Sequence, residues 1–126
     1  MDWKEARDVS KDIRILVRVL KLSHIKPSCV FCYRSTGSKS RSYARIWSLP
    51  KIFQRALQVG PAYVIEVLSE RFDRLRDEEK KKVLLHELLH IPKNFSGALL
   101  PHRGRGRRLE STVDKLFKDY KEITNS

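Results

Sequence analysis

Two histidines bracket a glutamate in the run His86, Glu87, Leu88, Leu89, His90. On a helix, residues four apart project from one face about one turn apart, so both imidazoles can reach a single ion. The pattern His-Glu-x-x-His suits zinc, with two imidazole ligands and a carboxylate beside them. Glu87 would then act as general base on a zinc-bound water. The alternative is a buried helix carrying two structural histidines and a solvated glutamate. It requires polar side chains to be desolvated among leucines without partners, which is unfavourable.

A catalytic zinc takes three protein ligands and leaves one position open. His102 is the expected third ligand, because Pro92, Gly97 and Pro101 let the intervening loop fold back. Glu110 and Asp114 are its rivals, and His24 is a more remote one. Arg103, Arg105 and Tyr43 are candidates to stabilise an oxyanion, and the sequence does not choose among them.

These groups need a helix to hold them. Asp77 can cap its start, Glu78 and Glu79 place negative charge in its first turn, and Pro92 stops it. Val83, Leu84, Leu88 and Ile91 recur at helical spacing and define its buried face. Residues 2–22 read as a second amphipathic helix, with Ala6, Val9, Ile13, Leu16, Val17 and Leu20 inward. Residues 28–34, 43–47 and 63–67 read as strands, the last being the richest in β-branched residues. A short helix is expected over residues 50–57, with Ile52, Phe53 and Leu57 inward. Residues 92–109 carry loop signals. Ser111 to Asp114 resembles a capping box that opens a final helix, with Val113, Leu116, Phe117 and Tyr120 on one face. Three strands without long crossovers favour an antiparallel meander. The expected fold is α+β: an N-terminal helix, a small three-stranded, mainly antiparallel sheet, the motif helix and a C-terminal helix.

The chain has 126 residues, which fits one domain over residues 1–126. No apolar run is long enough to span a membrane, and the charged start does not resemble a signal peptide, so no membrane contact and a cytoplasmic location are expected. Two cysteines cannot build a disulfide scaffold or a four-cysteine zinc ribbon. Cys29 and Cys32 with His24 would be an incomplete metal site, and small apolar residues on a strand are the simpler account. Lysine and arginine number 27 against 15 acidic residues, a net charge of +12. That excess favours anionic partners, nucleic acid first. The candidates for such contacts are Lys39 and Arg41 in a polar turn and Arg103, Arg105, Arg107 and Arg108 in a glycine-spaced basic run.

The motif makes the chain resemble a zincin. It departs from the metzincins, since no Gly-x-x-His follows His90 and the only methionine is Met1. It is more closely similar to the small metallopeptidases of phages and archaea. The likeness rests on SKSRSYARIW at 38–47, YVIEV at 63–67, the motif with Ile91 and Pro92, and FSGALLPH at 95–102. The resemblance implies a minimal zincin fold with His86, His90 and His102 as zinc ligands and Glu87 catalytic. It implies a peptide or protein substrate without saying which. Two other functions stay open: a basic nucleic-acid-binding protein whose zinc is structural or absent, and a peptidase recruited to nucleic acid by its charge. The oligomeric state is not legible.

Overall fold

The apolar stripe that begins at Ala6 organises the N-terminal half. It winds Arg7–Val19 into helix α1 and buries Val9, Ile13, Leu16 and Val17. Residues ahead of the stripe have no part in that face, and Asp2–Glu5 instead forms strand β1. This corrects the expectation of one helix from residue 2: pairing with a neighbouring strand outweighs local helix propensity. The computed structural model describes residues 1–101 and 106–125, with side chains up to Pro101 and again from Arg108.

Pro27 opens a single 3-10 turn, Pro27–Cys29, which delays strand β2 to Val30–Thr36. Strand β3 is Ala44–Ser48, helix α2 is Lys51–Leu57 and strand β4 is Tyr63–Leu68. A short helix α3, Ser69–Phe72, leads to the motif helix α4, Asp77–Leu88. Helix α5 is Gly106–Thr124. It starts before Ser111 and Thr112, whose hydroxyls donate back to the Arg108 carbonyl at 3.2 and 2.6 Å. The capping-box reading of those residues therefore fails; they lie inside the helix and bond to its previous turn.

The fold is α+β, but the sheet differs from expectation. It has four strands in the order β1-β2-β4-β3. β2 and β4 run parallel, with Cys32 opposite Ile65, while β1 and β3 pair antiparallel at the flanks. The meander fails because β3 does not pair with the strand before it. Val64 to Leu68 is buried or half-buried along its whole length, so β4 belongs in the middle of the sheet, where both edges are paired.

Helices pack on one face. Ile13, Leu16, Leu84, Leu85, Leu88 and Phe117 meet Val30, Cys32, Ile65 and Val67 in one core cluster. Helices α4 and α5 are further joined by Lys82 to Asp114 at 3.6 Å and Lys121 to Glu78 at 3.1 Å. Arg34 of β2 bridges Asp8 of α1 and Asp73 beyond α3, with bonds of 2.9–3.1 Å. Helix α2 is not part of this core. Ile52, Phe53 and Leu57, expected inward, are 75%, 54% and 62% exposed. Gln54 anchors this helix instead, donating to the carbonyls of Leu49 and Ser96 at 2.7 and 3.0 Å.

Candidate metal centre

The motif sits where α4 gives out. The acidic first turn and the Glu79 carboxylate, which accepts from the Arg76 backbone N–H at 3.2 Å, secure the helix start. Leu84, Leu85 and Leu88 anchor its buried face. Pro92 cannot continue an α-helix, and the residue before a proline avoids the α conformation. The last turn therefore tightens: His90 N–H donates to Glu87 at 3.1 Å and Ile91 N–H to Leu88 at 3.1 Å. His86 lies in the final helical turn and His90 in the tighter turn beyond it. They remain neighbours, with ring centroids 5.2 Å apart.

Ligand atoms of His86, Glu87 and His90 all lie within 4.8 Å of one another. Among the described residues this is the one group of three or more His, Cys, Asp or Glu side chains so arranged. Cys29, Cys32 and His24 do not form another. Cys32 is a core residue whose thiol burial pushes up, and Cys29 packs against the same core.

His90 is held by a backbone partner. Its Nδ1 lies 2.6 Å from the Leu100 carbonyl oxygen, and Leu100 N–H donates to the His90 carbonyl at 2.7 Å. With Nδ1–H directed at that carbonyl, Nε2 would be the nitrogen that holds an ion, the usual way of fixing a ligand's tautomer. Glu87 and His90 are buried, and His86 is half-buried. Burial pushes the Glu87 carboxyl up to about 7. A carboxyl in that range exchanges protons readily near neutral pH.

The loop that supplies Leu100 is clamped from β4. The Tyr63 hydroxyl donates to the Ala98 carbonyl at 2.8 Å and accepts from Gly97 N–H at 2.8 Å. Phe95 packs edge-on against the Tyr63 ring, with centroids 5.1 Å apart. Gly97 has φ +91°, and a Cβ there would collide with Gln54 and would lie 2.7 Å from the Leu49 carbonyl oxygen. Only glycine fits this reversal. Tyr63 and the Leu100 carbonyl hold this loop and His90 in place, and the sequence reading missed both. Tyr63 reads simply as a strand residue, and a backbone acceptor carries no residue-type signal.

His86, Glu87 and His90 open onto a cleft of about 960 Å³. Ser42, Tyr43, Ala44, Arg45 and Ile46 form one wall, and Leu99, Leu100 and Pro101 another. Glu110 and Asp114 also line it, so both rival ligands face the motif's cleft. Tyr43 is there too, with the Arg71 guanidinium 5.2 Å from its ring centroid. His102, Arg103 and Arg105 lie outside the described residues, as does the side chain of Arg107. Lys39, Arg41 and Arg108 are exposed.

His86, Glu87 and His90 thus stand together on the wall of a cleft. The model of the family described as "Putative phage metallopeptidase" matches residues 1–121, and the chain belongs to that family. No curated protein and no solved structure matches it. The resemblance drawn from the motif and its flanking segments is thus borne out at the level of the family. No helix among the described residues is long and apolar enough to cross a membrane.

Proposed function

We propose that the chain is a zinc-dependent metallopeptidase that hydrolyses peptide bonds. The observation that carries this reading is the approach of His86, Glu87 and His90 ligand atoms within 4.8 Å on the wall of a cleft large enough for several peptide residues. The donor set fits zinc: two imidazoles, one of them pre-oriented, beside a carboxylate. His86 and His90 would hold the ion, with His102 as third ligand and Glu110 or Asp114 as its rivals. Zinc when bound supplies a Lewis acid that acidifies water and polarises the scissile carbonyl. Glu87 takes the proton of the attacking water and passes it to the leaving amine. Tyr43, Arg103 or Arg105 would donate to the developing oxyanion, and the position of Tyr43 on the cleft wall supports Tyr43. Strand β3 has no strand partner on its outer side among the described residues. An extended peptide can add there by main-chain hydrogen bonds, with Arg45 and Ile46 at the cleft.

The Glu87→Gln variant tests this reading. It is expected to keep its fold and its zinc while hydrolysis of an unstructured protein such as casein falls at least about a hundredfold. Metal content and cleavage are measured on the same preparations, with wild type and His86→Ala for comparison. Cleavage by the Gln variant at the wild-type rate would remove Glu87 from its role, and metal-free wild-type protein that cleaves casein would remove zinc.

A second reading adds nucleic acid as a partner that recruits the peptidase. The observation favouring it is the net charge of +12.

A further inference from the structure

The sheet has a second face, opposite the helices. Strand register assigns its side chains. Phe31, Val64 and Trp47 form one row across β2, β4 and β3. Glu5, Tyr33, Glu66 and Arg45 form the next row, and Trp3 stands beside Ser35 beyond it. Trp3, Phe31 and Trp47 are 55%, 50% and 53% exposed. Both tryptophans of the chain therefore sit on a surface that the core does not use.

This surface is ordered in advance. The Trp47 indole N–H donates to Glu66 at 2.8 Å. The Arg45 guanidinium donates to both oxygens of the same carboxylate and lies 5.5 Å from the Trp47 ring centroid. The ring is thus fixed through its edge while half of the residue faces solvent. Phe31 and Trp47 are two strand spacings apart, about 10 Å, a separation that accommodates bases of nearby nucleotides on an extended strand.

Cations adjoin it. β1 pairs only with Tyr33 to Thr36, so residues 30–32 of β2 have no strand on that flank among the described residues. The gap is a groove of about 310 Å³ in which Arg7, Ser10 and Arg14 of α1 meet Phe31 and Tyr33, with Glu5 of β1 on its rim 4.0 Å from the Arg7 guanidinium. The Arg7 side chain is 92% exposed.

We propose that this face binds single-stranded nucleic acid. Bases stack on Phe31, Trp47 and Trp3, and phosphates run along Arg7 and Arg14. Aromatic rings on an open sheet next to a cationic groove are the chemistry that unpaired bases recognise, and duplexes cannot offer their ring faces to it. A second copy of the chain is the poorer occupant, because each copy carries +12 and repels the other. Phe31, Trp47, Trp3, Arg7 and Arg14 do not line the peptidase cleft, and the test involves no cleavage, so its failure leaves the peptidase reading standing.

Intrinsic tryptophan fluorescence is titrated with oligodeoxythymidylate of about 12 nucleotides, a length that spans one such site. Saturable quenching that weakens with salt is expected. Phe31→Leu and Trp47→Leu should each lower affinity about fivefold or more, and Trp47→Phe should retain most of it. The double variant Arg7→Gln, Arg14→Gln should flatten the dependence on salt. Phe31 makes no side-chain hydrogen bond that its replacement would break, so that variant carries the test if Trp47→Leu perturbs folding. Absence of quenching at low salt overturns the proposal, and so does wild-type affinity in Phe31→Leu. Sedimentation showing a dimer that Phe31→Glu disperses also overturns it, and assigns the face to a second copy.

Discussion

His90 owes its orientation to a carbonyl ten residues further along the chain. A ring already fixed at Nδ1 loses little freedom when Nε2 takes an ion, so part of the ordering is present before metal arrives. The spacing of His86, Glu87 and His90 was legible because their geometry is local to one helix. The third ligand was not, because it depends on how a loop returns. The described chain lines the cleft as far as Pro101. Glu110 and Asp114 line the same cleft, but Asp114 is drawn to Lys82 at 3.6 Å. His102→Ala is therefore expected to lose zinc affinity far more than Glu110→Ala or Asp114→Ala. Competition of the three variants with a chelator measures this. A loss confined to Glu110→Ala would give the site two histidines and a glutamate.

At the scale of elements, the loop after Pro92 matters as much as helix α4. The helix aims His86, while the loop delivers Leu100 to His90, and Tyr63, Phe95 and Gln54 fasten that loop to β4 and α2. Gly97→Ala should therefore act on both stability and metal binding. It forces a side chain into a left-handed backbone and against the Leu49 carbonyl. A loss of about 1–3 kcal/mol is expected in denaturant unfolding, together with weaker zinc affinity. Destabilisation without any change in zinc affinity would show that the clamp does not reach His90. Helix α4 was legible from the spacing of its apolar residues, and strand β4 from its run of β-branched residues. Helix α2 was recognised but its exposed face was read as buried, since Ile52, Phe53 and Leu57 carry the same periodicity whether or not anything covers them.

The whole molecule shows where local patterning stops. Strands β2, β3 and β4 came through within a residue or two, but β1 was read as helix and strand order was missed, because pairing partners are chosen by tertiary packing. The sheet's centre also holds a charge. Burial alone would raise the Glu66 carboxyl, but the Arg45 fork and the Trp47 indole outweigh it and hold it down at about 2, against an ordinary value of 4.5. Its folded value is depressed, so its contribution is complete above pH 4.5 and is lost as pH falls toward 2. Arg45 is partly in solvent, which reduces the effect to on the order of 2 kcal/mol. Asp8, held low by Arg34, adds in the same direction. Unfolding free energy measured against pH should fall across this window in wild type and less steeply in Glu66→Gln. Equal slopes would show that the Glu66 network does not contribute.

The strand order also bears on biosynthesis. β4 stands between β2 and β3, yet it leaves the ribosome after both. Until residues 63–68 emerge, β2 and β3 have no common neighbour, and only the β1–β2 pair is available. Until then β2 can pair only on its β1 side and β3 has no strand to pair with, so the sheet is completed only once β4 is available between them.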